Sequence, residues 1–461
     1  MTMQPLLVVV LAAGKGTRMK SALPKVLHPL AGRSLLGHAM ALSRDAGATR
    51  LAVVVGPGMP EAAEEVRRHA SDAAVFVQHK QLGTAHAVLA AREAIASHMG
   101  DVCVLFADTP LLTPDTIDRL RGSLGKGSGM AVLGFHAADP TGYGRLLTDA
   151  AGSLLAIRED RDASDAERKV TLCNSGVMAF RTPKLVSLLE RIGNANAKQE
   201  YYLTDAVEIA RADNLPVATS TCDEDDVLGI NSRDQLAAAE AIWQRRARLR
   251  VMRDGATLVA PETVWLSYDT VIGRDVVIEP NVVIGPGVTI EDDVVIKANC
   301  HLQGIDRKIA TGVRVRKGAE IGPFARLRPG TDIGPDVHIG NFVEIKNATL
   351  DQGAKAGHLT YIGDAHVGAG ANIGAGTITC NYDGFAKAHT EIGAGAFIGS
   401  NTALVAPIAV GANAYVGAGS VVSSRDVEPG ALTVVRGERR DIPGWVAKFR
   451  AALAKRVAEK K

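Results

Sequence analysis

The 461-residue sequence predicts an α/β protein of two domains, a mostly parallel sheet with helices followed by a parallel β-helix. Three observations predict this architecture. Short β-branched runs alternate with helical stretches in the first half of the chain. Aliphatic residues recur at every sixth position in the second half. Glycine, with 48 residues, exceeds its usual share, whereas aromatic residues make up only 4%.

The first domain, predicted over 1–231, alternates strands with alanine- and leucine-rich helices. The predicted strands are 6–11, 51–55, 75–77, 102–106, 130–135 and 176–180, and the predicted helices are 34–46, 61–70, 84–98 and 114–123. Such alternation is typical of βαβ units around a mostly parallel sheet. We therefore expect ligands at the carboxyl ends of the strands.

A single helix is predicted over 232–252 as a linker between the domains. Ser232 is a plausible N-cap, and arginines crowd the last turns, where they suit the negative end of the helix dipole. The linker should therefore be semi-rigid.

The second domain, predicted over 253–436, has a period of six. The aliphatic positions six residues apart are Ile272, Ile278, Ile284, Ile290 and Ile296; Ile321, Leu327, Ile333, Ile339 and Ile345; and Ile392, Ile398, Leu404, Val410, Val416 and Val422. Neither a helix nor a simple strand selects every sixth position, and a β-sandwich with glycine turns is the weaker alternative. Hexapeptide units form the flat sides of a prism, and glycine permits its corners. The register is lost around 297–320 and 377–391, where we expect loops, and 437–461 reads as a basic tail.

Composition excludes several classes of protein. Basic and acidic residues nearly balance, 52 against 50, so no nucleic-acid partner is expected. Five scattered cysteines without a Cys-x-x-Cys pair argue against a disulfide framework and a thiolate zinc site. The apolar run 6–13 is too short to span a membrane and lacks a basic leader. We therefore expect a cytoplasmic protein with no membrane partner.

A glycine-rich run, LAAGKGTRM at 11–19, follows the first strand. It lacks the third glycine of the dinucleotide fingerprint and the spacing of a Walker loop. Its backbone N–H groups can face phosphates, and Lys15, Arg18 and Lys25 add positive charge. An anionic nucleotide is the favoured ligand, and a plain strand-to-helix turn is the alternative.

Asp108 ends an apolar strand, where the sheet meets solvent. A carboxylate at that edge is well placed to hold Mg²⁺. Taken alone, it could equally be a solvated strand-end aspartate.

These residues carry a resemblance to a known family. With Gln78, GT at 83–84, GYGR at 142–145, Glu159, NSG at 174–176, EYYLTD at 200–205 and GIN at 229–231, they resemble the sugar-1-phosphate nucleotidyltransferases. More narrowly, they resemble the uridyltransferase half of the bifunctional N-acetylglucosamine-1-phosphate uridyltransferase/glucosamine-1-phosphate acetyltransferases. One departure is Phe106-Ala107, where the family usually has Tyr-Gly.

The resemblance implies a Rossmann-like domain that joins UTP to N-acetylglucosamine-1-phosphate, with Mg²⁺ as cofactor. It implies Asp108 and Asn231 as metal ligands and Arg18 and Lys25 as catalytic cations. The residues implied to bind UTP or UDP-N-acetylglucosamine are Leu11, Ala12, Ala13, Gly14, Lys25, Gln78, Gly83, Thr84, Gly144, Glu159, Asn174 and Asn231. Among them, the resemblance implies that Gln78, Gly83 and Thr84 recognise uracil and that Gly144, Glu159 and Asn174 hold the sugar.

The second domain carries polar blocks that a featureless prism does not need, at 324–330, 340–346, 355–363 and 372–384. With coils of eighteen residues, Arg328 and Lys346 stack on one face and form a natural phosphate clamp. His358 follows on a nearby turn. A zinc site made of three scattered histidines is the alternative, although it would need no phosphate clamp.

These blocks resemble the acetyltransferase half of the same bifunctional family. The resemblance implies a left-handed β-helix, a homotrimer, and acetyl-CoA bound between subunits. It implies His358 as the general base that deprotonates glucosamine-1-phosphate. The residues implied to bind that sugar are Arg328, Lys346, Tyr361 and Asn372, and those implied to bind acetyl-CoA are Ala375, Asn381, Tyr382, Ser400, Ala418 and Arg436.

The sequence therefore predicts a bifunctional transferase that acts on small molecules in UDP-N-acetylglucosamine synthesis. A nucleotidyltransferase with a purely structural or regulatory prism is the first alternative, and a non-catalytic scaffold is the second. His358 and the phosphate clamp favour the bifunctional enzyme, because a structural prism has no use for them.

Overall fold

The computed structural model describes residues 4–124, 128–150, 152–182, 185–306, 309–437 and 441–458. The chain divides into two compact units, Met1–Leu249 and Arg250–Lys461.

The first unit is built on one large sheet. The strands of this unit are β1 (Leu6–Ala12), β2 (Pro29–Leu30), β3 (Arg33–Ser34), β4 (Arg50–Val55), β5 (Ala74–Val77), β6 (Asp101–Phe106), β7 (Met130–His136), β8 (Arg145–Thr148), β9 (Leu154–Arg158), β10 (Leu172–Arg181) and β11 (Val217–Cys222). The main path of the sheet has the order β11-β7-β10-β6-β1-β4-β5, and neighbours on this path are parallel except those of β10. Strands β2 and β3 form a separate hairpin, and β8 joins the edge of β10.

Helices cover both faces of this sheet, so the first unit has two cores. Successive residues of β1 alternate between them: Val8 packs in the same cluster as Met40, and Val9 packs in the same cluster as Val88. The helices that begin in this unit are α1 (Leu35–Asp45), α2 (Pro60–His69), α3 (Thr84–Ala90), α4 (Arg92–Ala96), α5 (Pro114–Leu124), α6 (Leu185–Glu190), α7 (Ala206–Ala212) and α8 (Arg233–Arg253). The predicted Rossmann-like α/β class is confirmed.

Two predicted elements differ in detail from the structure. The helix expected over 84–98 is broken in two at Ala91, whose N–H bonds the carbonyl of Val88 in a tighter three-residue turn. The strand expected over 176–180 begins earlier, at Leu172, and its pairing with β7 shifts register between Asn174 and Met178. The hydrogen bonds between β10 and β7 determine where β10 begins, and the local sequence pattern does not reveal these bonds.

Helix α8 is the helix expected as a linker. It runs from Arg233 to Arg253, across the division between the two units. Within the first unit, Ala239 on this helix is buried in a small cluster with Leu30 and Leu111. This apolar contact anchors the amino-terminal part of the helix to the unit that precedes it.

The second unit is a β-helix of short strands whose ladders are all parallel. Its strands are β12 (Thr257–Leu258), β13 (Val271–Ile272), β14 (Val277–Ile278), β15 (Val283–Ile284), β16 (Val288–Ile290), β17 (Val295–Ile296), β18 (His301–Leu302), β19 (Val313–Val315), β20 (Glu320–Ile321), β21 (Arg326–Leu327), β22 (Thr331–Ile333), β23 (His338–Asn341), β24 (Glu344–Leu350), β25 (Lys355–His358), β26 (Tyr361–Val367), β27 (Asn372–Ile373), β28 (Ile378–Cys380), β29 (Thr390–Ile392), β30 (Phe397–Ile398), β31 (Ala403–Val405), β32 (Ile408–Val410), β33 (Tyr415–Val416), β34 (Val421–Val422) and β35 (Leu432–Thr433). Residues of the sixfold period, such as Ile278, Ile296 and Ile339, are fully buried. The predicted β-helix is confirmed.

The coils of this prism are not all equally long. Most stacked residues are eighteen apart, as in the pair Val277–Val295. The coil from Glu344 to Tyr361 has seventeen residues. Insertions in the two regions predicted as loops lengthen the coils that contain them to twenty-five residues. The first predicted interruption, 297–320, was too wide, because His301–Leu302 stays in the ladder.

Beyond the prism, the predicted basic tail contains a helix that the sequence analysis did not predict, α9 (Trp445–Ala458). Residues 438–440 and 459–461 of that tail lie outside the described residues. Among the helices in the described part of the chain, none combines the length and the apolar character that crossing a membrane requires.

Candidate active sites

The first site is a cavity of about 480 Å³ at the carboxyl ends of the parallel strands. Strand β1 ends at its rim with Ala12, and β6 ends there with Phe106. The residues that line it are Leu11, Ala12, Ala13, Gly14, Lys15, Lys25, Val26, Gln78, Gln81, Gly83, Thr84, Ala87, Phe106, Asp108 and Glu200. Nine of the residues predicted to bind UTP or the metal are therefore brought together here.

A cation and two oxygen ligands meet at one side of the cavity. The Nζ atom of Lys25 lies 2.5 Å from Oδ2 of Asp108 and 3.0 Å from Oδ1 of Asn231. The glycine loop crosses directly over this lysine: a Cβ on Gly16, where φ is +60°, would lie 2.5 Å from Cβ of Lys25. Glycine is therefore required where the loop passes Lys25.

The two oxygens that converge on Lys25 also suit a divalent metal. Asp108 and Asn231 already point oxygen atoms at a single positive charge. No group of three or more His, Cys, Asp or Glu side chains that could hold a metal occurs in the described part of the chain. Divalent ions such as Mg²⁺ are commonly bound by one or two protein oxygens together with substrate phosphates and water, which is compatible with these two side chains.

Gln78, Gly83 and Thr84 form the opposite side of the cavity. The Gln78 amide donates to the carbonyl of Gly83 at 3.0 Å, and the Thr84 hydroxyl accepts from the N–H of Leu203 at 2.9 Å. Gly83 has φ of +117°, and a Cβ there would lie 2.5 Å from the carbonyl oxygen of Tyr201. Close packing against 201–203 therefore fixes this predicted uracil-recognition segment.

A third group of predicted residues lies together beside strand β8. The N–H of Asn174 donates to the carbonyl of Gly144 at 2.7 Å. A Cβ on Gly144 would lie 3.4 Å from Oε1 of Glu159, so the three predicted sugar-binding residues are neighbours. Burial raises the pKa of Glu159. Burial, together with Glu208 and Glu159, raises the pKa of Asp205 to about 6.

Arg18 stands apart from the other predicted residues. It lies in the short 3₁₀ turn Thr17–Met19, is exposed, and does not line the cavity. Phe106, which replaces the tyrosine usual in the family, lines the cavity beside Asp108 and packs against Gly176. Ala107 is fully buried, so the departure from Tyr-Gly adds no polar group to the site.

The second site follows one corner of the prism. Strand pairing stacks His358 on Asn341, and the same register places Ala375 on the next coil. The N–H of Asn401 bonds the carbonyl of Ala375, and that of Gly419 bonds the carbonyl of Ser400, which continues the column. The residues of this corner column are Asn341, His358, Ala375, Ser400 and Ala418. At about 4.8 Å per coil, it extends roughly 14 Å beyond His358.

His358 is exposed and oriented by its neighbour in the column. Its Nδ1 atom lies 2.7 Å from Oδ1 of Asn341. The tautomer with a proton on Nδ1 donates this hydrogen bond and leaves Nε2 free to accept a proton. Asn341 was not predicted.

Three cations gather at the ladder of β21 and β24. Arg328 and Lys346 occupy adjacent coils, as predicted, and Lys387 approaches them from the loop after Cys380. The nearby Lys387 ammonium, partial burial and Arg328 lower the pKa of Lys346. Arg328 donates to Glu344 at 2.7 Å, and its buried Nε has no partner among the described residues. The cluster is therefore suited to bind a phosphate group.

Tyr361 and Asn372 complete the predicted sugar site. The phenol of Tyr361 lies over Gly363, where a Cβ would come within 2.3 Å of its oxygen. Tyr361 pairs with Glu344, and Gly363 pairs with Lys346 on the same ladder. Asn372 lies on the next face, paired with Lys355. Tyr361 is thus close to the cations, whereas Asn372 is held on a different strand ladder.

The other predicted acetyl-CoA residues lie on two segments of the second unit. Asn381 is buried and donates to Asp364, whereas Tyr382 is exposed and donates to the carbonyl of Gly384 at 2.6 Å. Arg436 lies over the end of the corner column, 3.2 Å from the position that a Cβ on Gly417 would occupy.

Comparison with known proteins gives the family. A profile of the MobA-like NTP transferase domain matches residues 8–171, and one of the bacterial transferase hexapeptide (six repeats) matches 269–304, 312–347 and 389–424. The bifunctional protein GlmU of Azorhizobium caulinodans is 60% identical over 99% of both chains. Those of Xanthobacter autotrophicus and Paramagnetospirillum magneticum are 60% and 52% identical, over 99% and 100% of both chains. The chain belongs to the GlmU family.

As a GlmU-family protein, the chain is a bifunctional transferase of UDP-N-acetylglucosamine synthesis, with a nucleotidyltransferase and an acetyltransferase activity. This confirms the predicted function and rules out the alternatives of a single-activity enzyme and a non-catalytic scaffold. A divalent metal and nucleotide-sugar substrates follow from the same membership.

Sequence reasoning missed three polar residues at the two GlmU-type sites. Gln81 lines the nucleotide cavity and donates to the carbonyl of Ala13. Asn341 orients His358, and Lys387 joins the phosphate clamp. A regular coil of eighteen counted back from His358 reaches Gly340, so the regular count misses Asn341, which lies seventeen residues before His358. No signal marked Lys387 beyond its place in the predicted loop 377–391.

Proposed function

We propose that the first unit transfers the uridylyl group of UTP to N-acetylglucosamine-1-phosphate and that its metal is Mg²⁺. The convergence of Lys25, Asp108 and Asn231 at the cavity carries this proposal. When bound by Asp108 and Asn231, Mg²⁺ would neutralise charge on the phosphates. A phosphate oxygen of the sugar attacks the α-phosphorus of UTP, and pyrophosphate leaves, so no protein nucleophile is needed.

The residues of the first unit then act by alignment and charge. Lys25 and the exposed Arg18 stabilise the negative charge that develops on the phosphates. Gln78, Gly83 and Thr84 hold the uracil, and Gly144, Glu159 and Asn174 hold the sugar. The backbone of 11–14 lies along the nucleotide. Holding both reactants in line supplies most of the rate enhancement.

The second unit transfers the acetyl group of acetyl-CoA to the 2-amino group of glucosamine-1-phosphate. Nε2 of His358 takes a proton from the amine as its nitrogen attacks the thioester carbonyl, and the CoA thiolate leaves. Arg328, Lys346 and Lys387 bind the sugar phosphate, with Tyr361 and Asn372 on the sugar. The elongated acetyl-CoA lies along the corner column by Ala375, Ser400 and Ala418, with Asn381, Tyr382 and Arg436 beside it.

The same proposal includes a cytoplasmic homotrimer with acetyl-CoA between neighbouring chains. The exposed rings of Phe324 and Phe342 stack at 5.2 Å on adjacent coils and provide an apolar surface suited to a neighbouring chain. The five cysteines are all free, which suits a reducing compartment. Sedimentation equilibrium of the full chain tests the trimer.

A coupled assay on the full chain tests both activities. Glucosamine-1-phosphate, acetyl-CoA, UTP and Mg²⁺ are supplied together, and free CoA, pyrophosphate and UDP-N-acetylglucosamine are followed separately. We expect all three products, and no pyrophosphate from glucosamine-1-phosphate when acetyl-CoA is left out. Pyrophosphate release without any release of CoA would refute the assignment of acetyl transfer to the prism.

A further inference from the structure

Asp364 is a buried carboxylate between the phosphate clamp and the loop that follows Cys380. It lies on β26, and its residue is only 8% exposed. The corner at Asn347 is one residue shorter than the corner at 328–330, because Arg326 stacks on Glu344 eighteen residues later whereas Thr331 stacks on Ala348 only seventeen later. The corner that contains Asp364 keeps this shorter length, because Ala348 stacks on Ala365 seventeen residues later. Both Asn347 and Asp364 have a positive φ of 47° in these shortened corners.

Each carboxylate oxygen of Asp364 has a polar partner. Oδ1 accepts a hydrogen bond from the Asn347 amide at 2.6 Å. Oδ2 accepts a hydrogen bond from the Asn381 amide, and Nζ of Lys387 lies 3.8 Å from the same oxygen. Asn381 and Lys387 are both on the inserted loop. This one carboxylate therefore anchors the loop at two points.

The charge of Asp364 also matters to the phosphate clamp. Arg328, Lys346 and Lys387 are close enough to repel one another. Glu344 pairs with Arg328, and Asp364 is the acid that pairs with Lys387. Without a nearby negative charge, Lys387 would be driven away from Lys346 before any phosphate is bound.

We propose that Asp364 is a positioning residue that couples the two substrate sites of the acetyltransferase. It contacts neither substrate itself. Through Asn381 it holds the segment proposed to contact acetyl-CoA, and through Lys387 it holds the third cation of the phosphate clamp. This inference rests on the proposed function of the second unit.

The first test is Asp364→Asn in the full chain, which keeps the size of the side chain and removes its charge. We expect the KM for glucosamine-1-phosphate and the KM for acetyl-CoA both to rise about tenfold or more, because displacement of a positioning group by about 1 Å can cost up to a hundredfold. Uridylyl transfer by the same preparation should stay within twofold. Asp351→Asn is the matched control and should change neither KM, because Asp351 is a partly exposed acid whose partner is His366.

The second test separates positioning from a merely structural role. Lys387→Met should raise the KM for glucosamine-1-phosphate and leave that for acetyl-CoA within twofold, since Asp364 still holds Asn381. In the double variant of Asp364→Asn and Lys387→Met, the fold increase in the KM for glucosamine-1-phosphate should be smaller than the product of the two single increases. In Asp364→Asn, the KM for the sugar phosphate should also begin to rise at a lower pH than in the unaltered chain. Without the carboxylate, the repulsion between Lys346 and Lys387 is no longer offset, so these lysines lose their protons more easily.

The outcomes distinguish the inference from the function on which it rests. If the unaltered chain releases no CoA, the proposed function fails. If it does, and Asp364→Asn keeps both KM values or lowers uridylyl transfer in parallel, the positioning role is refuted. Should Asp364→Asn not accumulate as folded protein, Asp364→Glu, which keeps the charge and displaces the oxygens, should raise the acetyl-CoA KM more than the glucosamine-1-phosphate KM. If both KM values of Asp364→Glu equal those of the unaltered chain, the positioning role of Asp364 is again refuted.

Discussion

Arg145→Met should destabilise the first unit and weaken binding of the sugar phosphate at the uridyltransferase site. The Arg145 side chain is 2% exposed, and its Nη2 atom lies 3.0 Å from Oδ1 of Asp160. It also donates to the carbonyls of Tyr143 and Arg168. These bonds join the residues next to Gly144 and Glu159, so the guanidinium holds the two flanks of the predicted sugar site together.

The magnitude follows from the burial of the two partners. Breaking a buried ion pair costs about 3–5 kcal/mol, because one charge is left without compensation. The Asp160 side chain is 29% exposed, so water can solvate the carboxylate that Arg145→Met leaves behind. We therefore expect a loss of about 2–3 kcal/mol. For a unit of this size, each kcal/mol lowers Tm by about 2–4 °C, which gives a fall of roughly 4–12 °C.

The assay is thermal unfolding of the full chain by calorimetry, together with steady-state kinetics of both reactions. Arg191→Met is the matched control, because Arg191 forms an exposed pair with Asp213, and exposed ion pairs contribute little to stability. We expect the transition of the first unit to fall only in Arg145→Met. The KM for N-acetylglucosamine-1-phosphate should rise, with the KM for UTP and acetyl transfer unchanged. Indistinguishable melting of the two variants would refute the reasoning.

His358→Ala should lower kcat for acetyl transfer by about 10² to 10⁴, the usual contribution of a general base, with uridylyl transfer intact. Parallel loss of both reactions in a CoA-release and pyrophosphate-release assay would contradict two independent sites. Asp108→Asn should lower uridylyl transfer and leave acetyl transfer intact, and the Mg²⁺ concentration needed for half-maximal pyrophosphate release should rise. An unchanged Mg²⁺ requirement would exclude Asp108 as a ligand. The raised pKa of Asp205, about 6 against 3.8, means that its contribution to stability is fully present below pH 3.8 and is lost as the pH rises through 6. Since Asp205 is only partly buried, solvent reduces the effect, and Asp205→Asn should stabilise by only about 1 kcal/mol at pH 8 and by almost nothing near pH 4, as measured by thermal unfolding at the two pH values.

Much of the fold could be predicted from the sequence because both domains repeat a simple pattern. The alternation of apolar runs with helical segments predicted every strand on the main path of the large sheet except β11, and it also missed β8 and β9 beside that path. The period of six in the prism identified residues such as Ile278 and Ile339, which are fully buried. Helix α9 was missed because its side chains up to 452 are exposed, so no core-facing pattern marks it.

The candidate sites were predictable where the partners are close in sequence or lie a regular distance apart. Arg328 and Lys346 were paired because one coil of eighteen separates them. Lys25, Asp108 and Asn231 come from distant parts of the chain, and only the resemblance suggested that they belong together. Their meeting at one point depends on the sheet order and on the contacts of the segment before α8, which no local pattern encodes.

The residues that sequence reasoning missed in the prism lie where the coil length departs from eighteen. A count of eighteen back from His358 reaches Gly340, whereas the structure stacks it on Asn341, because this coil has lost one residue. Lys387 has no coil position at all, since it lies in an insertion. The inward side chains of one regular coil stack on those of the next, so packing of the core fixes the number of residues in a coil. Departures from that length cost the core nothing if they occur at the corners. The prism can thus position new polar groups by shortening or lengthening a corner. Asp364 lies at a shortened corner, and Lys387 lies at a lengthened one.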